Sequence, residues 1–389
     1  MESQKKPVIL QILPALQSGG VERGTIDIAL ALKENDFTPL VASNGGILTH
    51  QLAKAQITHL TLPLHSKNPF IIYKNYQKLI KLIKEYQIDL IHARSRGPMW
   101  SAYFACKKTN IKLVATVHGT YSLNFLKWKN FFLKRIYNQI MLKADAIIAV
   151  SSFIKNYITQ NYKIDVEEKL TIINRGADLN YFNINNISSK RIENLITQFD
   201  ISENQKIILM PARFTSWKGH EFTIEALSKI NEDFLCVMIG SDHGHEKYRK
   251  KLETKIINNN LAGKIKIVGL CKDMPAAYAL SDFVVFPSVR PEAFGRISIE
   301  AQACQKPVIA TNIGGSLDTV INEKTGFFIT PFDVENFANL IRKLLRMSKI
   351  ELDKIGLNGR RNIEENFSNN QMCKKTINVY RETLKKIVQ

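Results

Sequence analysis

The chain has 389 residues, 45% hydrophobic and 23% charged, an ordinary globular composition long enough for two cores. Its net charge of +19 asks for an acidic partner: nucleic acid, an anionic membrane face or a phosphorylated substrate. No apolar run reaches the ~18 residues of a membrane span. Cys106, Cys236, Cys271, Cys304 and Cys373 are scattered without a CxxC or a His/Cys cluster, which excludes a disulfide framework and a structural zinc site and suits the cytosol.

The opening "MESQKKPVILQILPAL" runs straight into a core-strand pattern, so no signal peptide is expected. Short apolar runs then alternate with longer helix-period segments, the signature of parallel sheets covered on both faces. Expected strands are "PVILQIL", "TPLVAS", "ITHLTL", "IDLIHA", "KLVATVH" and "ADAIIAV", with helical patterns at 21–34, 69–86, 97–108 and 124–143 between them. The polar stretch "NINNISSKRIENLITQFD" lacks a strand and is expected to be the linker. Beyond it the alternation restarts with "KIILMPA", "FLCVMIG", "KIKIVGL", "DFVVFPS", "PVIAT" and "GFFI". The expectation is an α/β chain of two doubly wound domains: 1–185, then 186–368, followed by a terminal segment 369–389.

In such domains ligands sit at the carboxyl ends of strands, where helix N-termini present free N–H groups. Four loops there are unusual. "SGGVERG" follows the first strand; Gly19 and Gly20 permit close backbone approach to an anion at a helix start, although a Gly-Gly turn is often plain turn chemistry. It is not a GxGxxG fingerprint, which disfavours a nicotinamide site. In "VATVHGTY", His118 ends a strand where side chains aim at ligand.

In "MPARFTSWKGHE", Arg213 and Lys218 leave the first strand of the second domain. A guanidinium grips two phosphate oxygens and an ammonium neutralises as a point charge; the bland reading is two solvated surface charges. In "FPSVRPEAFGRISIE", Gly295 lets the backbone N–H groups of Phe294, Gly295, Arg296 and Ile297 approach phosphate oxygens. Glu300, over a turn inside the following helix, suits a ribose diol, and Glu292 in the loop before it suits a sugar. For two glutamates in isolation, charge compensation at a helix start is the simpler account.

Taken in order, "GGVER", "VHG", "NRGAD", "ARFTSWKG", "IKIVGLCKDM", "PEAFGRISIE", "ATNIGG" and "EKTGFFITPFD" resemble the retaining GT-B glycosyltransferases of the family 4 type, over essentially the whole chain. The resemblance implies two Rossmann-like domains facing a cleft, with the final helix "MCKKTINVYRETLKKI" crossing back onto the first. It implies that Arg213 and Lys218 hold the donor diphosphate with backbone near Gly295, and that Glu300 binds ribose. Gly269, Lys272 and Met274 would frame the base. Glu292 and His118 would touch the transferred sugar as the catalytic pair, and Gly19–Gly20 would close over the phosphates. Asp318 stands where relatives often show Glu. The longer blocks look most like bacterial enzymes of the lipopolysaccharide core, some of them mannosyltransferases. With no DxD-type motif at a strand end, no metal or cofactor is expected, and the nucleotide sugar is a substrate.

Residues 1–185 hold 24 basic against 12 acidic residues, and 186–389 hold 30 against 23. "FLKWKNFFLKR" interleaves Phe125, Trp128, Phe131 and Phe132 with lysines, as a membrane-surface segment would; a core helix with a solvated basic face is the plainer alternative. A lipid-linked glycan acceptor, reached peripherally at the inner membrane face from the cytoplasm, reconciles charge and enzyme. The alternatives are a nucleotide-sugar 2-epimerase of the same fold and a basic nucleic-acid- or membrane-surface-binding protein. Against nucleic acid stands the lack of a helix-turn-helix, zinc finger or RNP-like stretch.

Overall fold

The structure is a computed structural model that describes residues 5–17, 19–120, 137–162, 165–202 and 205–385. It divides into two compact units: Met1–Gly176 with Asn369–Gln389, and Ala177–Ser368. The segment 124–136, with Phe125, Trp128, Phe131 and Phe132, lies outside the described residues.

In the first unit β1 (Val8–Ile12), β2 (Thr38–Ser43), β3 (Thr58–Thr61), β4 (Leu90–Ala93), β5 (Lys112–Val117), β6 (Ala146–Ala149) and β7 (Leu170–Ile172) form one sheet ordered β3-β2-β1-β4-β5-β6-β7. The pairing is parallel, with Leu10 opposite Leu40 on one side and Ile91 on the other. β1 and β4 are buried along their whole length, as helices on both faces require. The strand order reverses between β1 and β4, which makes their carboxyl ends a topological switch point. β7 was not among the expected strands: three residues after a 3-10 turn carry no readable period.

Helix Pro69–Glu85 starts with Asn68 accepting from the Phe70 amide at 2.9 Å and Pro69 in the first turn, and it buries Leu79 and Ile83 while Lys74, Lys78 and Lys81 face solvent. The terminal helix Asn369–Lys385 belongs to this unit. Met372, Cys373, Ile377 and Tyr380 pack with Ile9, Ile28, Leu90 and Val114, and the Tyr380 hydroxyl bonds His92 Nδ1 at 2.5 Å.

The second unit holds β8 (Ile207–Pro211), β9 (Leu235–Ile239), β10 (Ile265–Val268), β11 (Phe283–Phe286), β12 (Val308–Thr311) and β13 (Gly326–Ile329). They are ordered β10-β9-β8-β11-β12-β13, so the switch point lies between β8 and β11. Together the units make the α/β architecture of two Rossmann-like parallel-sheet domains.

One expectation needs correction. The stretch expected as a linker is folded: Ser189–Phe199 is a helix that buries Leu195 and Phe199, and the second unit begins at Ala177, not 186. An amphipathic helix needs only one apolar stripe, so a mostly polar sequence concealed it.

Candidate active site

The carboxyl ends of β8 and β11 are neighbours in the sheet, with Ile208 opposite Phe283. From β8 the chain enters the loop that carries both expected cations. Arg213 is exposed. Lys218 closes a 3-10 turn, Ser216–Lys218, and is buried. Its ammonium lies 4.3 Å from the centre of the Trp217 ring and 5.4 Å from that of Phe286, and it forms an ion pair with Glu292. Burial lowers the Lys218 pKa; the Glu292 carboxylate opposes that shift and the Arg213 charge adds to it. Lys218 is thus a dehydrated cation with one counter-charge, not a solvated surface lysine.

Glu292 is held from three sides. Lys218 donates to its Oε1, and the Ser288 hydroxyl donates to the same oxygen at 2.5 Å. Its carbonyl accepts from the Gly315 amide at 2.8 Å, and its backbone bridges Gly314 in parallel. That approach is open only to glycine: Gly314 sits at φ +68°, and a Cβ there would fall 2.6 Å from the Glu292 carbonyl oxygen.

Three residues on, Gly295 heads helix Arg296–Ala303 at φ 85°, and a Cβ would come within 3.0 Å of the Phe286 ring, the ring beneath Lys218. The first-turn N–H groups of Arg296 and Ile297 have no intrahelical acceptor and carry the positive end of the helix dipole. Phe294 is buried against Phe367, with ring centres 6.1 Å apart, and anchors the turn.

Glu300 lies one turn into that helix. Arg296 donates to its Oε1 at 2.7 Å and the Tyr278 hydroxyl to its Oε2 at 3.2 Å. Each oxygen keeps a lone-pair site, the arrangement a vicinal diol requires. Burial raises the Glu300 pKa, and the Arg296 charge opposes the shift. In the loop after β10, Gly269 and Lys272 are exposed and Met274 opens helix Met274–Leu280. Asp273 caps that helix, accepting from the Ala276 amide at 3.2 Å. Asp273 also takes a two-pronged bond from Arg191, with Nε at 2.7 Å and Nη2 at 2.6 Å. The helix expected as a linker therefore braces the loop expected to frame the base.

In the first unit the loop after β1 leads to helix Gly20–Glu34. Gly19 has φ 165°, extended backbone any residue adopts; what its smallness spares is a Cβ that would fall 2.5 Å from Glu22 Oε2. Arg175 Nη1 donates to the Gly20 carbonyl at 3.1 Å, and its Nη2 donates to His118 Nδ1 at 2.9 Å. Nδ1 therefore accepts and the proton of the neutral ring sits on Nε2, which is buried without a partner. Burial first, then the charges of Arg175 and Arg94, hold the His118 pKa well below the ordinary range. Arg94, after β4, is buried and donates to Gln11 at 3.0 Å.

The structure thus brings Lys218, Glu292 and Gly295 together with Glu300 a turn away in the second unit, and Gly19, Gly20 and His118 together in the first. The sequence reading did not single out Ser288, Tyr278, Arg191, Arg94 or Arg175. Of these, Ser288 at a strand end and Arg175 in "NRGAD" carried a signal. Among the described residues no three His, Cys, Asp or Glu side chains gather as a metal site would need.

Residues 18–181 match the family described as Glycosyltransferase Family 4, and residues 191–362 match Glycosyl transferases group 1. A solved glycosyltransferase structure from Rickettsia africae ESF-5 is 42% identical with a TM-score of 0.90, covering 98% of this chain and 100% of that one. The chain belongs to this family of glycosyltransferases, group 1/family 4, with the GT-B fold. HepE of Anabaena, solved with UDP and glucose, shares the fold at 23% identity and a TM-score of 0.82, covering 97% of this chain and 100% of that one. A relative from Escherichia coli is the UDP-Gal:alpha-D-GlcNAc-diphosphoundecaprenol alpha-1,3-galactosyltransferase, 24% identical over 355 residues, 87% of each chain.

Proposed function

We propose that this glycosyltransferase is a retaining, metal-independent hexosyltransferase. It moves a sugar from a nucleoside-diphosphate sugar to a lipid-linked glycan acceptor at the cytoplasmic membrane face, in assembly of the lipopolysaccharide core. The observation that carries the donor half is the buried Lys218–Glu292 pair beside the start of helix Arg296–Ala303. The diphosphate lies on the free amides of Arg296 and Ile297 with Arg213 and Lys218 as its cations, and Glu300 takes the ribose. Support for the acceptor comes from the E. coli relative, which acts on a diphosphoundecaprenol-linked sugar, and from the basic first unit.

In the reaction the anomeric carbon–phosphate oxygen bond breaks and the acceptor oxygen–anomeric carbon bond forms. The acceptor proton passes to a leaving diphosphate oxygen on the same face. Fixed cations and amide dipoles aimed at the leaving group supply most of the stabilisation. Glu292 spends one carboxylate oxygen on Lys218 and Ser288, which suits a group that orients a sugar hydroxyl better than a free nucleophile. His118 offers its Nε2 proton to the sugar.

The test is a metal-free thermal-shift panel of nucleoside diphosphates and their sugars on wild type and Glu300→Ala, followed by NMR of the product anomer. A nucleotide that stabilises wild type but not the variant, and a product with the donor's configuration, are expected. An inverted product sinks the retaining mechanism. Sugar and nucleoside diphosphate released without an acceptor would instead favour the epimerase reading.

A further inference from the structure

Helices Pro69–Glu85 and Arg96–Thr109 pack side by side in the first unit. Between them runs a groove of about 810 Å³ walled by Ile72, Tyr73, Tyr76, Trp100, Phe104 and Tyr137, within the ~300–1,000 Å³ of small-molecule sites. Part of its wall stands clear of the core. Tyr73 and Phe104 are 57% and 46% exposed, and neighbouring Phe70 is 80% exposed. Trp100 stacks on Tyr137 at 5.9 Å, and its indole N–H is buried without an acceptor. Among the described residues, the remaining lining includes Lys67, Lys107 and Lys108 and no carboxylate. Clustered exposed aromatics are uncommon on a protein that binds nothing there. An apolar trough with these lysines on its rim fits a ligand with a long apolar body and an anionic head.

We propose that this groove binds the prenyl-type chain of a lipid phosphate, with the rim lysines on its phosphate, and so seats the carrier of the acceptor glycan. The idea rests on the lipid-linked acceptor reading above and extends it to a named surface. A single lipid is favoured over a bilayer face because the apolar surface is concave, whereas interfacial segments present a convex apolar face. Both helices begin after the carboxyl ends of strands, Pro69–Glu85 after β3 and Arg96–Thr109 after β4. Lys67 and Pro69 line the groove at the start of the first helix, and Lys107 and Lys108 line it in the last turn of the second.

The experiment is isothermal titration of the full chain with farnesyl phosphate below its micelle concentration, with farnesol and inorganic phosphate as separate arms. Wild type, Tyr73→Glu and Lys107→Glu/Lys108→Glu are compared, and each is also titrated with the stabilising nucleotide. Farnesyl phosphate is expected to bind wild type at least about tenfold more tightly than farnesol or phosphate, and at least about tenfold more tightly than it binds either variant. Nucleotide affinity stays unchanged in all three proteins. Equal binding to wild type and variants overturns the proposal, as does farnesol binding as well as its phosphate. Failure of farnesyl phosphate beside normal nucleotide binding rejects the groove alone. Loss of nucleotide binding in wild type rejects the donor reading instead. Binding only to vesicles containing phosphatidylglycerol, abolished by Tyr73→Glu, would replace the lipid pocket by a membrane-contact face and so overturn it.

Discussion

Lys218 and Glu292 form a buried ion pair that ties the loop after β8 to the loop after β11, across the switch point of the second sheet. The two side chains are only 9% and 15% exposed, so removal of one partner strands the other. Lys218→Met leaves a carboxylate with only Ser288 to compensate it and should lower stability by about 3 kcal/mol. Adding Glu292→Gln should recover most of that loss. Urea denaturation of the two singles and the double measures the coupling; additive losses would mean the pair is not intact in solution.

Glu300 should make nucleotide affinity depend on pH at the acid end. A ribose diol donates to an ionised carboxylate, and burial raises the pKa of Glu300 above the ordinary value. Affinity should therefore fall earlier on acidification than a normal carboxylate would dictate. The stability consequence has the opposite sign. A group whose folded pKa is raised contributes stability below its unfolded pKa, and loses it as pH rises through the folded value. Glu300→Gln should be at least as stable as wild type at neutral pH while losing nucleotide affinity; a clear drop in Tm at pH 7 would contradict this.

Gly314→Ala should destabilise the second unit by at least about 2 kcal/mol, since it combines left-handed backbone with overlap onto the Glu292 backbone. Nucleotide-sugar turnover should fall more than nucleotide binding if the carboxylate it displaces contacts the sugar, as proposed above. Parallel losses in both would point to a general collapse of the site.

His118 should remain neutral across pH 6–8 with its proton on Nε2, as burial and Arg175 dictate. Nitrogen-15 NMR of the ring reads both properties directly. Arg175→Gln removes a cation and should raise the His118 pKa. An unchanged pKa would leave burial and the Arg94 charge as the causes.

The terminal helix is stitched to the first sheet by Tyr380, whose hydroxyl bonds a buried His92. Tyr380→Phe deprives that ring of a partner and should cost about 1–2 kcal/mol. Native-state hydrogen exchange in Asn369–Lys385 should accelerate with it; unchanged protection would show that the apolar contacts alone hold the helix.

Much of the fold was legible before any coordinates, and for a specific reason. A strand buried on both faces must be apolar throughout, so β1, β8 and β11 stand out as short hydrophobic runs. Loops at their carboxyl ends can then be named as ligand positions without seeing them. Arg213, Lys218, Gly295 and the two glutamates were singled out that way, along with their family pattern. Helix Ser189–Phe199 was not, because one apolar stripe in a polar segment does not separate a helix from a linker.

What the sequence by itself determined is the alternation of elements, the loops at strand carboxyl ends and the residue types they carry, because those depend on local period and strand-end position. Only the tertiary structure decided which groups meet. Lys218 and Glu292 lie 74 positions apart, Arg175 and His118 lie 57 apart, and the Trp100–Tyr137 groove wall spans the space between two helices. Such contacts depend on how strands order themselves in a sheet. Local propensity carries no trace of that order, and the burial that shifts the pKa values of Lys218, Glu300 and His118 exists only once each unit has folded around its own residues.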